Sequence, residues 1–104
     1  MDAEAQRLLN CSVADNTRRA YKSAVNSFHR FRTNTGLQEQ WPVPLEHLTR
    51  YLGYLSLNGF SPATVSLHIS ALSREHKLKM IQDRTDNFIV KKIIKGMKLE
   101  NTTR

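Results

Sequence analysis

The residue types that most often perform catalysis or bind metals are few in this chain and widely spaced. Histidine occurs at four positions, His29, His47, His68 and His76, and no two of them are three or four residues apart. No helix would therefore place two imidazoles on one face, as a helical metal site requires. His68 and His76 flank an apolar stripe, where hydrogen-bonded structural histidines are expected. The single cysteine, Cys11, has no neighbouring base to activate it. Because the sequence also lacks a glycine-rich phosphate loop and paired carboxylates in an apolar setting, we expect no catalytic residue, no metal and no cofactor.

The binding of phosphates and base edges is the chemistry that fits the polar face of the second predicted helix. This face carries basic, hydroxyl and amide side chains: Arg19, Lys22, Ser23, Asn26 and Arg30. Such groups contact phosphates and hydrogen-bond base edges in a DNA groove. The alternative is an ordinary solvated surface, but no acid occurs from Asn16 to Gln38, whereas ordinary surfaces mix both signs. Arg32 is expected to point back toward the apolar stripe near Tyr21 and Val25.

A helix-turn-helix outline occupies the segment from Leu52 to His68, with a turn at Gly59. The outward positions of its second helix hold small, hydroxyl and basic side chains and one leucine: Ala63, Ser66, Leu67, Ser70, Arg74 and Lys77. Leu67 would contact a thymine methyl group in a major groove, or it would join Ala71 and Leu78 in a second buried stripe. Both interpretations remain open.

The charge balance indicates a polyanionic partner. The chain has 104 residues with 16 Lys and Arg against 9 Asp and Glu, a formal net charge of +7. Nucleic acid is the first candidate and an acidic membrane surface the second. Lys91, Lys95 and Lys98 lie along one side of the last helix, with Lys92 on its edge, and these lysines are either solubilising or attract phosphates. With no apolar run of about 20 residues and no signal pattern, we expect no membrane span and an intracellular protein, nuclear if its source is eukaryotic.

The elements that must position these side chains are all helices. Apolar residues at helical spacing, separated by glycine, proline and capping residues, predict helices over about 1–10, 16–35, 45–58, 62–78 and 86–98. Gly36 ends the second helix, Ser61 and Pro62 begin the fourth, and 79–85 is a polar connection. Strand signals are nearly absent. We therefore predict a compact all-α bundle of four to five helices, with 1–104 as a single domain and 99–104 as a tail or linker.

These residues, taken in order, resemble the N-terminal core-binding domain of tyrosine recombinases and phage-type integrases, which has a sterile-alpha-motif-like fold. Thr17 and Tyr21, followed by Phe28 and Phe31, are similar to the T-x-x-x-Y…F helix of that family. Three later stretches are also similar to the family pattern: Trp41-Pro42 with Leu48-Thr-Arg-Tyr-Leu52, Gly59-Phe-Ser-Pro-Ala-Thr-Val65 with Ser70-Ala-Leu72 and His76, and Asp86 to Lys95-Gly96. The Trp-Pro and Lys-Gly steps resemble those of recombinases from eukaryotic mobile elements more than those of bacterial enzymes.

The resemblance implies that this domain binds double-stranded DNA and forms one half of a clamp that a catalytic domain closes. It implies DNA contacts by residues of the second and fourth helices: Thr17, Arg19, Lys22, Ser61, Thr64, Ser66, Leu67 and His68. For His68 this implication opposes the structural interpretation given above. The fifth helix would contact neighbouring protomers in a recombinase assembly on DNA, and the isolated domain would be a monomer.

The chemistry of that family requires a tyrosine nucleophile and a His-x-x-Arg step in the other domain. His47-Leu-Thr-Arg50 fits the step literally, but it lies in the middle of a predicted helix bundle, and Tyr51 and Tyr54 follow it too closely to be the nucleophile. We therefore expect a non-enzymatic chain without the catalytic domain. Two other functions stay open: a helical protein-interaction module, and a stand-alone helix-turn-helix regulator that binds a palindrome as a dimer.

Overall fold

A computed structural model describes residues 2–11 and 15–103 of the chain, and the described part contains helices and no strand. The α-helices are α1 (Ala3–Cys11), α2 (Asp15–Thr35), α3 (Leu45–Leu57), α4 (Pro62–Leu78) and α5 (Phe88–Thr103). A short 3₁₀ turn, Arg84–Asp86, precedes α5. The predicted all-α fold is confirmed. The predicted break at 12–14 lies outside the described residues.

Helices α2, α3 and α4 end in the same way, in a turn closed by two backbone hydrogen bonds. After α2, the N–H groups of Gly36 and Leu37 donate to the carbonyl oxygens of Thr33 and Arg32. Gly36 has φ +75° and the equivalent residue after α3, Gly59, has φ +79°. After α4, the equivalent residue is Met80, with φ +56°. Glycine is favoured in this left-handed conformation because it has no Cβ, so Met80 is the unfavourable member of the three.

The N-termini of α3 and α4 follow from their first residues. Pro44 precedes α3 with φ −62°, and Ser61 caps α4 by accepting a hydrogen bond from the N–H of Thr64. Pro62 occupies the first position of α4, where its missing N–H is not needed. The predicted start of this helix is therefore confirmed.

The core lies where α3 packs between α2, α4 and α5. Its fully buried side chains come from these four helices and the segment before α3: Phe28, Val43, Leu48, Tyr51, Leu52, Leu55, Val65, Leu72 and Val90. The rings of Phe28 and Tyr51 meet edge to face with centroids 4.9 Å apart. The hydroxyl of Tyr51 donates to Oγ of Ser27 at 3.0 Å, which fixes α3 against α2.

The connection between α2 and α3 is packed against α4 and α2. Arg32 is only 2% exposed, and its guanidinium lies 4.5 Å from the ring centroid of Phe28 and 5.5 Å from that of Trp41. Its Nη1 donates to the carbonyl oxygen of Gln40 at 3.0 Å. The inward orientation predicted for Arg32 is confirmed, and the rings that its guanidinium approaches are those of Phe28 and Trp41.

Two predicted boundaries near the C-terminus are wrong. Helix α5 continues through Thr103 instead of ending near Lys98, so 99–103 is helical. It begins at Phe88 rather than Asp86, because Asp83 first caps the 3₁₀ turn by accepting hydrogen bonds from the N–H and hydroxyl of Thr85. In this predicted polar connection Thr85 is buried. None of the helices in the described ranges combines the length and apolarity needed to cross a bilayer.

Candidate nucleic-acid interface

The outer face of α2 is exposed along its length, as its 3.6-residue period predicts. The side chains exposed there are Arg19, Lys22, Ser23, Asn26 and Arg30. Thr17 is exposed in the first turn of the helix. Nη2 of Arg19 lies 3.4 Å from Oδ1 of Asn16, a contact between exposed side chains that leaves the guanidinium at the surface. The α2 residues predicted to contact DNA thus share one accessible face.

A groove of about 340 Å³ separates this face from α4. Lys22 and Asn26 line one wall, and Arg74 and Glu75 line the other, with Arg18 also on the α2 side. The guanidinium of Arg74 lies 5.9 Å from the ring centroid of Tyr21, beneath the groove. The structure therefore brings two of the predicted residues together with basic residues from both helices.

A larger recess of about 840 Å³ continues along the C-terminal half of α4. Ser70, Arg74 and Lys77 line it, opposite Asp83 and Asp86 from the segment before α5. Tyr21 and Arg74 border both cavities, so the two adjoin, and we call them together the channel between α2 and α4. Arg18 and Arg74 were absent from the predicted set, since the pairing of α2 with α4 depends on residues about 50 positions apart in sequence.

The predicted residues at the start of α4 are engaged in capping the helix. Oγ of Ser61 lies 3.0 Å from Oγ1 of Thr64 and accepts from the N–H of Thr64 at 3.3 Å. Ser61 is exposed and Thr64 half-buried, so the pair lies at the surface while it stabilises the helix start. Ser66 and Leu67 are half-buried on the adjoining face, so Leu67 belongs fully to neither of its two predicted environments.

His68 is packed inside the molecule. It is 8% exposed, and its ring meets those of Tyr51 and Phe60 edge to face at 5.9 and 5.8 Å. Nδ1 lies 3.0 Å from the carbonyl oxygen of Thr64, and burial lowers the pKa of the imidazole. Burial, a hydrogen bond to the backbone and two ring contacts are the environment that the structural interpretation predicts for His68.

The lysines of α5 lie at the surface of the domain. Lys91 pairs with Asp86 at 2.7 Å, and Lys92 and Lys95 are exposed further along the helix. Helix α5 packs against α3, α4 and the 3₁₀ turn, whereas α2 packs against α3 and α4. The pair of Lys91 with Asp86 brings the start of α5 to the edge of the wider recess, which Asp86 lines.

The His47-Leu-Thr-Arg50 step does not form a joint site. His47 is 9% exposed, whereas Arg50 is exposed and pairs with Glu46 at 3.1 Å. Burial, together with the charge of Arg32, lowers the pKa of His47. In the described part of the chain no three histidine, cysteine or acidic residues are placed to hold a metal ion.

Residues 6–82 match the family of phage integrase N-terminal SAM-like domains. The chain belongs to this family. No curated protein matches the chain. The matched segment holds α2, α3 and α4, and the predicted family is confirmed. The eukaryotic source stays a prediction.

Membership makes this integrase domain a module of the recombinase family. The match is to the N-terminal domain of phage integrases and not to their catalytic domain. His47 and Arg50 accordingly do not form a shared site, since His47 is buried and Arg50 is exposed and paired with Glu46. Contact of individual side chains with DNA stays a prediction for all ten residues of the predicted set: Thr17, Arg19, Lys22, Ser23, Asn26, Ser61, Thr64, Ser66, Leu67 and His68.

Proposed function

We propose that this integrase N-terminal domain binds double-stranded DNA through the channel between α2 and α4, as one half of a clamp used in site-specific recombination or DNA integration. The observation that carries the proposal is the convergence of basic side chains from two helices on one accessible channel. Lys22 faces Arg74 across its narrow part, and Lys77 lines its wider part. A catalytic domain elsewhere in the native protein would close the clamp.

The residues divide by the part of DNA that each suits. Arg18, Arg19, Lys22 and Arg74 carry positive charge toward the channel or beside it, which suits phosphates. Ser23 and Asn26 lie next to them on α2 with hydroxyl and amide groups, which suit base edges. Phosphate contacts would thus set the position of the domain on the duplex, and Ser23 and Asn26 would discriminate between base sequences.

The charge distribution on α2 supports this surface. Between Asn16 and Gln38 no acid offsets the exposed side chains of Arg19, Lys22 and Arg30. Arg18 pairs with Asp15 at 3.3 Å, at the very start of the helix. The potential over the rest of the outer face is therefore positive, and it attracts a polyanion before contact.

Neighbouring protomers on the same DNA are the proposed protein partners, and free in solution the domain is proposed to be a monomer. We place the protein inside the cell, in the nucleus if its source is eukaryotic.

Fluorescence polarisation of a labelled duplex of about 30 bp tests the proposal. At ~50 mM salt we expect saturable binding that weakens steeply as salt rises, with a slope near −5 in log affinity against log salt for about six phosphate contacts. Absence of binding by the 104-residue chain at this salt concentration would overturn the proposal. A tight complex that forms only on a palindrome, with a protein dimer, would favour the stand-alone regulator instead.

A further inference from the structure

The channel between α2 and α4 is not basic throughout, because acidic residues line one side of its wider recess. Arg74 and Lys77 of α4 line this recess, and Asp83 and Asp86 line it from the segment before α5. A phosphate that follows the basic residues along α4 therefore meets two carboxylates in the same recess. For a channel that is proposed to hold DNA, the presence of these carboxylates requires a reason of its own.

Asp83 has a structural reason. Its Oδ2 accepts from the hydroxyl of Ser73 at 2.6 Å, and its Oδ1 accepts from the N–H of Thr85 at 2.9 Å and from the hydroxyl of Thr85. These bonds cap the 3₁₀ turn and join it to α4. Both carboxylate oxygens of Asp83 thus serve the fold.

Asp86 does not cap either of the elements that it joins, as far as the described residues show. The 3₁₀ turn is capped by Asp83, and α5 begins with Asn87, whose Oδ1 accepts from the N–H of Ile89 at 2.8 Å. Oδ1 of Asp86 lies 2.7 Å from Nζ of Lys91. Because the two side chains are 76% and 68% exposed, their ion pair contributes little to stability. Its main effect is electrostatic, since it offsets the charge of a lysine at the edge of the recess.

We propose that Asp86 limits the affinity of the channel for DNA, because its carboxylate repels phosphates from the wider recess and holds Lys91 away from them. The inference rests on the proposed function, which places duplex DNA in the channel. In the wild-type chain Lys91 would contact a phosphate only where that phosphate displaces the carboxylate. Such a limit suits one half of a clamp, since the closed clamp must still release its DNA.

Direct contact with a base is the other role that Asp86 could have in the channel. A carboxylate accepts hydrogen bonds from the amino group of cytosine. In this structure, however, the ammonium group of Lys91 already contacts Oδ1. Base contact also predicts the opposite result for removal of the carboxylate: weaker binding, and only to duplexes that carry a cytosine at the contacted position.

Fluorescence polarisation of a labelled duplex with the 104-residue chain tests the inference. The Asp86→Asn change keeps the size of the side chain and removes its charge. At ~50 mM salt we expect this variant to bind the duplex about three- to tenfold more tightly than the wild-type chain, with all sequences affected alike. Its slope of log affinity against log salt should steepen by about 1, because the released Lys91 adds one phosphate contact.

Glu46→Gln is the matched control, since Glu46 is also exposed and pairs with Arg50 at 3.1 Å. Both changes remove a carboxylate from a surface ion pair and make the net charge more positive by the same amount. Glu46, however, lies on α3 and lines neither cavity of the channel. We expect Glu46→Gln to change the affinity by about twofold or less. Equal gains from the two variants would overturn the inference, because general charge would then explain both.

The contribution of Lys91 is isolated by the Asp86→Asn/Lys91→Ala double variant. Its salt slope should return to that of the wild-type chain, and a slope that stays steeper would overturn the role given to Lys91. Wild-type protein that binds the duplex while Asp86→Asn binds it equally or more weakly overturns the inference alone. Wild-type protein that binds no duplex overturns the proposed function as well.

Discussion

The imidazole of His76 and the backbone amide of Val43 form a buried hydrogen bond that joins α4 to the connection between α2 and α3. The N–H of Val43 donates to Nε2 at 3.0 Å, and Nδ1 of the same ring lies 2.7 Å from the carbonyl oxygen of Leu72. Because Nε2 accepts, the ring proton lies on Nδ1, which donates to Leu72. Nε2 thus joins α4 to the connection between α2 and α3, and the bond of Nδ1 to Leu72, which lies within α4, fixes the orientation of the ring.

Replacement of His76 should therefore destabilise the domain. The His76→Ala change leaves the N–H of Val43 without its partner and opens a cavity in the core, and we expect the free energy of unfolding to fall by about 2–4 kcal/mol. Urea unfolding followed by circular dichroism measures it. His29→Ala is the matched control, because His29 is partly exposed and its Nδ1 lies as far as 4.0 Å from Oε1 of Glu39. This change should lower the free energy of unfolding by less than about 0.5 kcal/mol. Equal losses from both variants would contradict the role given to His76.

Replacement of Met80 by glycine should stabilise the domain, because Met80 has the left-handed conformation that glycine has after α2 and α3. The Met80→Gly change relieves the backbone while it removes a side chain that is 70% exposed. Glycine also adds conformational entropy to the unfolded chain, which offsets part of this gain. We therefore expect the free energy of unfolding to rise by roughly 0.5–1 kcal/mol, as measured by thermal or urea unfolding. The reciprocal change, Gly59→Ala, should destabilise by about 1 kcal/mol. A loss of stability on Met80→Gly would show that the methionine side chain contributes more than its conformation costs.

Gly36, Gly59 and Ser61-Pro62 made most helix boundaries predictable from the sequence. Glycine favours the left-handed conformation that ends a helix, and serine followed by proline favours a helix start. Met80 could not be found in this way, because its conformation is imposed by the hydrogen bonds of Met80 and Ile81 to the last turn of α4. The C-terminal end of α5 was predicted from the end of its apolar stripe at Met97. The helix runs on because no glycine or proline follows to stop it.

For the candidate interface, the accessible face of α2 was predictable from its 3.6-residue period. The part that was not predictable is the other wall of the channel, where Arg74 approaches Tyr21. Contacts between distant helices depend on packing that no local pattern encodes. The burial of His68 was predicted by its place beside the apolar stripe, and the resemblance to integrases pointed the other way.

Arg32 is a buried cation, and two substitutions separate the contribution of its volume to stability from that of its charge. Burial lowers the pKa of Arg32, although Glu39 acts against this, and its Nε and Nη2 have no hydrogen-bond partner among the described residues. Because Arg32→Met keeps most of the volume and removes the desolvated charge, we expect it to change the free energy of unfolding by less than about 1 kcal/mol. Arg32→Ala should cost about 2–4 kcal/mol through the cavity it leaves. Comparable losses in urea unfolding would mean that the guanidinium itself holds the fold.

Stability should fall in mildly acidic solution because of His47 and His68. Burial lowers the pKa of both imidazoles below the ordinary value of 6.5, and the charge of Arg32 lowers that of His47 further. The unfolded chain therefore binds more protons than the folded one once the pH drops below about 6.5. The free energy of unfolding should be level above about pH 7 and then decline, by at most about 1.4 kcal/mol per pH unit for each histidine.

The histidine origin of this decline is checked by unfolding at several pH values. A His47→Gln/His68→Gln variant should lose most of the slope between about pH 6.5 and 4.5. Burial alone would raise the pKa of Asp83, but hydrogen bonds from Ser73 and Thr85 outweigh it and lower this pKa. The contribution of Asp83 is therefore lost only as the pH falls below 3.8, outside the histidine range. An unchanged slope in the double variant would contradict the assignment.

The two basic surfaces should differ in how they affect binding of a single duplex. Arg19→Ala with Lys22→Ala should lower the salt slope by about 2, roughly 1 for each phosphate contact removed, and weaken binding to all sequences alike. Both side chains are exposed, so circular dichroism and the unfolding midpoint should stay unchanged. Lys91→Ala with Lys95→Ala removes the same charge from α5 and should change the slope much less. Equal changes would mean that general positive charge, rather than the channel between α2 and α4, drives binding.

The only tryptophan of the chain gives the molecule a built-in optical reporter of one junction. Trp41 is half-buried, with its ring centroid 4.8 Å from that of His76 and 5.2 Å from Nζ of Lys79. Indole emission responds to nearby charge and to water, so its wavelength and intensity follow whether the segment before α3 remains seated on α4. Loss of this seating while the helices persist would separate the emission signal from the circular dichroism signal. An unlabelled sample thus distinguishes detachment of the α2–α3 connection from unfolding of the whole chain.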